Sequence, residues 1–269
     1  MFIRGSVKLN ELKTAGGKLR AFVKRNKKNV AAGIMLLLLA GIAYAAPRAV
    51  VDVANNAAAS AKELPIYCVD RDDKVVALTF DAAWGNEDTQ KILDILEKHN
   101  VKVTFFATGG WVETYPDDVK KIIEAGHAFG NHSENHKFMT RLTDEQKKQE
   151  LMKVHDKVKA LTGYEMCLFR PPYGDYNDAV VKVADSLGYY TIQWSVDSLD
   201  WKDYGVDSIV RTVTQHKSLD SGAIILMHNG AKYTADALDS IITSLEEQGY
   251  SMVAGINGSF FDRSTGIPY

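Results

Sequence analysis

The chain carries almost no net charge and almost no cysteine. Its 32 Lys and Arg face 34 Asp and Glu over 269 residues, a formal charge of −2. That balance gives no reason to expect a nucleic-acid partner. The two cysteines, Cys68 and Cys167, lie far apart and lack the Cys-x-x-Cys spacing of a zinc knuckle or redox pair. In an exported chain they could pair as a disulfide, and two buried thiols fit the sequence as well. The hydrophobic fraction of 46% and the charged fraction of 25% suit a globular protein with a sizeable core.

The near-neutral average hides a strong asymmetry. The first 28 residues hold nine Lys or Arg and one acid, Glu11. An uncharged run comes next at residues 30–46, centred on Met35-Leu36-Leu37-Leu38-Leu39. Its 17 residues stand at the short end of a bilayer span and are long for a signal-peptide core. The positive flank should stay in the cytoplasm, so the chain beyond residue 46 is delivered to the outer face. Residues 1–29 are thus expected to be a basic cytoplasmic segment and 30–46 a transmembrane anchor. Residues 47–66, rich in Ala, Asn and Ser, read as a linker, and residues 67–269 as the working domain. Ala43-Tyr44-Ala45 keeps open a secreted form cleaved after Ala45.

Beyond residue 67 strands and helices alternate. Apolar runs at 74–80, 101–107, 128–130, 168–170, 189–194, 223–227 and 251–253 read as strands. Helical spacing marks 89–98, 117–125, 179–187, 208–215 and 234–247. Thr143 with Gln146 three residues on is a capping-box start for a helix running to Leu161. Repeated alternation predicts a parallel α/β architecture, either a (β/α) barrel one unit short or a doubly wound sheet. In both, function gathers at the carboxyl ends of the strands.

Chemically active side chains fall at those ends. The first strand ends at Asp81, the third runs into His132 and His136, and the fourth ends in Arg170-Pro171-Pro172-Tyr173-Gly174. Asp197 to Trp201 come after the fifth, and the sixth ends at Leu226-Met227-His228. On a helical turn, His132 and His136 would share one face and converge on a metal ion. By itself that spacing fits two surface or capping histidines too. Each of the other residues also has a structural alternative, Asp81 as a helix cap or His228 as a satisfied core histidine. Five strand ends presenting such groups together argue for a site.

Taken in order, Thr79-Phe80-Asp81, His132-Ser133-x-x-His136, Arg170-Pro171-Pro172-Tyr173-Gly174, Asp197-x-x-Asp200-Trp201 and Leu226-Met227-His228 resemble the five motifs of the polysaccharide deacetylases. That group is carbohydrate esterase family 4, with the NodB-homology domain. Phe80-Asp81-Ala82-Ala83-Trp84-Gly85 and the basic, apolar lead look most like its sporulation-type members. The resemblance implies a distorted (β/α)7 barrel that removes acetyl groups from an N-acetylated polysaccharide with a divalent metal, usually zinc. His132 and His136 would hold the metal, Asp81 would be the base and His228 the acid. Asp200 would raise the His228 pKa, and Arg170 would hold Asp81 ionised. The Tyr173 N–H would take the oxyanion, while Pro171, Trp201 and Leu226 would contact substrate.

The chain departs from the family pattern at one position. Most members carry a second Asp, the third metal ligand, where this chain has Ala82. A neighbouring oxygen such as Asp81 or Asn86 could replace it, or the metal could be held weakly. The third alternative is a glycan-binding module without turnover. The survival of Asp81, Arg170, Asp200 and His228 favours a working enzyme.

Overall fold

The computed structural model describes residues 24–27 and 63–254. The expected anchor at 30–46 lies outside them, as do most of the basic segment and linker. No helix among the described residues is long and apolar enough to cross a membrane. The chain divides between Lys62 and Glu63 into two units.

The second unit is built on parallel strands. β1 (Val75–Ala82), β2 (Thr104–Ala107), β3 (Ala128–Asn131), β4 (Leu168–Phe169), β5 (Tyr190–Thr191), β6 (Val196–Asp197), β7 (Ile224–Asn229) and β8 (Ser251–Met252) form one sheet. Their order is β5-β4-β3-β2-β1-β7-β6, with β8 pairing the first residues of β1. β1 is therefore central, flanked by β2 on one side and β7 on the other. Ile66, which composition places in the linker, bridges Ile192, and Cys68 bridges Ala223. That short segment ties the β5 edge to the start of β7. Cys68 and Cys167 are both free thiols, one exposed and one buried.

Among the described residues seven α-helices connect the strands: α1 (Thr89–Lys98), α2 (Gly109–Thr114), α3 (Pro116–Glu124), α4 (Asp144–Thr162), α5 (Asp178–Ser186), α6 (Val206–Thr214) and α7 (Thr234–Glu247). α4 opens with the expected capping box, Thr143 and Gln146 each bonding the other's backbone. It closes on Gly163 at φ 73°, a left-handed position that suits glycine. α2 and β6 have no counterpart in the sequence pattern. α2 is six residues beginning Gly-Gly and held by the Thr108 cap, and β6 is two residues. Elements that short carry too few turns or alternations to show a period.

Strand alternation sorts the core into two layers. Val76, Leu78, Phe80 and Ala82 of β1 belong to the large cluster shared with the helices. Val75 and Ala77 belong to a second, smaller cluster with Phe106, Leu168, Ile192 and Ile224. Period-two geometry then sets Thr79 and Asp81 on the same inner face as Val75 and Ala77. Ala82 falls on the helix side.

Candidate active site

Asp81 ends the inner face of β1 and is 5% exposed. Arg170, fully buried just after β4, donates from Nη1 to Asp81 Oδ1 at 2.8 Å and to Thr79 Oγ1 at 2.9 Å. Nη2 reaches the Gln193 carbonyl at 3.2 Å, and the guanidinium lies 4.2 Å over the Phe106 ring. Burial pushes the Asp81 carboxyl up, but the charge of the Arg170 guanidinium, with help from His228, outweighs it. Asp81 is held below the usual carboxylate range and is ionised.

His132 and His136 do not ride on a helical turn. They lie on the loop after β3, where Ser133 (φ 63°) and His136 (φ 53°) both adopt the left-handed region. Local bonds hold that shape: Ser133 N–H donates to Asn131 Oδ1 and His136 N–H to Ser133 Oγ. Glu150 of α4 accepts both the Asn135 N–H and its side-chain amide at 2.8 Å. The tight loop, rather than helical stacking, brings the two rings to 4.9 Å between centroids.

The Arg170 carbonyl lies 2.8 Å from His132 Nδ1. A carbonyl can only accept, so Nδ1 carries the proton and Nε2 presents a lone pair. That lone pair lies 3.5 Å from Asp81 Oδ2. Burial lowers both histidines, His136 to about 4, so both are neutral at pH 7.

The second pair is wired differently. Asp200, fully buried, accepts from the His228 backbone N–H at 2.7 Å and from Thr234 Oγ1 at 2.6 Å. Its other oxygen lies 2.7 Å from His228 Nδ1. Burial pulls the His228 pKa down, yet the Asp200 hydrogen bond and charge, with Asp81 and Asp197 behind them, leave it raised.

Both pairs open on one cavity of about 470 Å³, within the range of small-ligand sites. Asp81, His132, His136, Tyr173, Trp201, Leu226 and His228 line it, as the motifs suggest. Arg170 and Asp200 stand behind the lining, and Pro171 is buried in the turn under Tyr173. Tyr173 itself takes φ 61° and packs against His136 at 4.5 Å and Phe138 at 4.3 Å. Trp84, Trp194 and Asp197 also line the cavity, although the motifs assign them no role there. Trp84 and Asp197 fall within the motif stretches. Trp194 closes the strand expected at 189–194, but β5 stops at Thr191 and Trp194 lies on the chain beyond it.

The donor set suits a divalent cation in part. Two neutral imidazoles, one with its tautomer set by a backbone carbonyl, stand beside an ionised carboxylate. Among the described residues no group of three or more His, Cys, Asp or Glu side chains assembles to hold a metal. Asn86 is not among the residues lining the cavity, and its Nδ2 donates to Asp118 Oδ2 at 2.6 Å.

A model of the polysaccharide deacetylase family matches residues 69–192. The peptidoglycan-N-acetylmuramic acid deacetylase PdaA of Bacillus subtilis is 37% identical over 210 residues, covering 75% of this chain and 77% of that protein. The chain belongs to this family, carbohydrate esterase family 4, and its fold matches the (β/α)7 architecture expected from the motifs. The peptidoglycan-N-acetylglucosamine deacetylase PgdA of Listeria monocytogenes is 39% identical over 67% of this chain and 38% of that protein. Among solved structures, BA3943 of Bacillus anthracis, a CE4 family pseudoenzyme, has a TM-score of 0.68 at 40% identity, covering 71% of this chain and 67% of that one. A mutant of BA3943 with restored enzymatic activity gives the same TM-score at 41% identity, over 71% and 69%.

Proposed function

We propose that the chain is a metal-dependent hydrolase that removes N-acetyl groups from a cell-wall glycan, peptidoglycan or another polymer containing N-acetylglucosamine. One observation carries this reading: a single cavity presents two Asp–His pairs held in opposite charge states. An amide is a weak electrophile with a poor leaving group, so its hydrolysis needs a base and an acid at once.

In this mechanism Asp81 accepts the proton of the attacking water as its oxygen bonds the acetyl carbon. Arg170 keeps Asp81 ionised and aimed. The Tyr173 N–H, at the left-handed apex of the 170–174 turn, donates to the oxyanion. His228 passes its proton to the nitrogen as the C–N bond breaks, giving acetate and a free amine, while Asp200 holds the ring cationic. His132 and His136 would hold a divalent cation, zinc by the preference of imidazole donors, which supplies Lewis-acid activation of water and carbonyl. Trp201 and Leu226 wall the slot for the acetyl methyl. The basic segment and apolar run at 1–46 support a membrane anchor with the hydrolase outside, and the motif stretch around Ala82 supports a sporulation role.

A second reading has its own support. With Ala82 on the helix side and no third ligand assembled among the described residues, the site resembles a family 4 fold that binds glycan without turnover, and a pseudoenzyme stands among the relatives. Acetate release from peptidoglycan or N-acetylglucosamine oligomers by the purified full chain decides between them. Zinc- or cobalt-dependent acetate that disappears with chelator and with Asp81→Asn supports the hydrolase. Acetate no higher than that of Asp81→Asn leaves the binding module.

A further inference from the structure

Trp84 is one of three aromatic side chains left exposed on the cavity wall, with Tyr173 and Trp201. It is 52% exposed, and its indole N–H meets no protein acceptor among the described residues. A singly exposed aromatic is ordinary on a protein surface, but several gathered around one cavity mark a binding face. Its ring lies 6.1 Å from that of His136 and 5.7 Å from that of His228, so it spans the mouth between the two halves of the site.

The loop beneath it is firmly mounted. The carbonyl of the next residue, Gly85, accepts from Trp111 Nε1 at 3.2 Å and from Asn229 Nδ2 at 3.1 Å. Asn229 is fully buried and takes Thr89 Oγ1 on its other side-chain atom at 2.9 Å. Gly230, at φ 89°, packs so closely that a Cβ there would sit 3.1 Å from the Gly85 oxygen. Its N–H in turn donates to Asp88 Oδ1 at 2.9 Å. Groups from β7, α1 and α2 thus converge on the residue beside an indole that packs into no core. A core tryptophan looks different: Trp111 is 2% exposed and its N–H is bonded.

We propose that Trp84 is a substrate-binding residue whose indole face stacks on the N-acetylated sugar ring presented to His136 and His228. The residue lines the cavity, so its N–H adds a donor for a sugar hydroxyl or for the acetamide. The proposal rests on the cavity being a glycan site. It adds to that reading a wall lying outside the acid, base and metal positions, and so fixes which face of the sugar ring is covered. An aromatic wall on a rigid mount loses little entropy on binding.

The full chain labelled with 5-fluorotryptophan gives one fluorine signal for each of its four tryptophans, Trp84, Trp111, Trp194 and Trp201. The Trp84 signal is identified by its loss in Trp84→Phe. On titration with chitotetraose the Trp84 signal should shift while that of Trp111 stays fixed. In a calorimetric titration Trp84→Ala should weaken binding about tenfold and Trp84→Phe much less, the size expected for one aromatic stacking contact. Chitotetraose binding with the Trp84 signal unmoved, or with Trp84→Ala binding as tightly as the parent, overturns the role of Trp84 alone. No binding by the parent chain overturns the glycan reading with it.

Discussion

The site contains the same two residue types twice, and the two copies behave in opposite ways. In the Asp81 half, the carboxylate is bonded to a guanidinium and its imidazole neighbour, His132, turns a lone pair toward it. In the Asp200 half, the carboxylate bonds the imidazole itself, at Nδ1 and at the backbone N–H. Both histidines are desolvated, yet His132 is lowered and His228 raised. Proximity of an Asp to a His therefore does not set the proton's position. What sets it is whether the carboxylate is already neutralised by another cation and which imidazole nitrogen has been claimed by a carbonyl.

The hardest test of this contrast is to remove the guanidinium. Arg170→Met leaves Asp81 buried without its guanidinium and removes the donor to Thr79 Oγ1, which keeps only its own bond to the Ile225 carbonyl. Loss of one member of a buried pair costs about 3–5 kcal/mol. Urea unfolding should show a loss of that size at pH 7, shrinking toward acid pH as Asp81 is protonated. A loss under about 1 kcal/mol would mean that Arg170 is not what holds Asp81 ionised.

His127 sharpens the comparison because it is a buried imidazole whose pKa no carboxylate raises. It is 4% exposed, accepts the Val103 N–H on Nδ1, and has its pKa lowered to about 4 by burial and then by Lys102. A depressed histidine favours the neutral form in the folded state. Its contribution is therefore complete above the unfolded value near 6.5 and is lost as pH falls toward 4. Over that window the loss attributable to His127 approaches about 3 kcal/mol. His127→Phe should flatten the acid limb of the stability curve by that amount relative to the parent. An unchanged acid limb would assign the loss to other groups.

Asp200→Asn addresses the second half directly. An amide can still accept the His228 N–H, but it cannot favour the imidazolium. The His228 pKa should fall below its parent value, and acetate release at pH 7 should drop about a hundredfold. The imidazole titration followed by NMR reports the shift whether or not the chain turns over. A His228 titration unmoved by the substitution would remove Asp200 from the acid's control.

Much of this was legible in the sequence. The strand-helix alternation pointed to the parallel fold, and the position of acid, imidazole and guanidinium at strand ends located the cavity without any coordinates. The charge states were not legible, because they depend on the Arg170 carbonyl reaching His132 and on Gln193 and Thr79 receiving Arg170, contacts made across 38, 23 and 91 residues. The helical reading of His132 and His136 failed for a local reason. Two left-handed residues, Ser133 and His136, are stabilised by Asn131, Ser133 and Glu150 side chains, and none of these shows as a period. Trp84 stood in plain view within the first motif stretch, but burial, not identity, distinguishes it from Trp111.

The smallest expected effect is at Ala82, and it asks whether the first half of the site can be completed. Ala82 is fully buried, belongs to the helix-side cluster, and pairs in register with Ala107 and Asn229. An Asp placed there starts on the wrong face from the cavity. β1 ends at this residue, however, and the chain bends immediately after it, so a modest turn of the strand end can swing a carboxylate toward His132 and His136. Without metal, Ala82→Asp should cost about 1–3 kcal/mol, the penalty of a buried, unsatisfied acid. With metal, zinc affinity by calorimetry should rise about tenfold and restore that stability. Unchanged zinc affinity with the stability loss intact would mean that the side chain stays among the apolar residues of the helix layer. Unchanged affinity without any loss would mean that another group already supplies the third ligand, and the contrast between the two Asp–His pairs would then have to be redrawn around it.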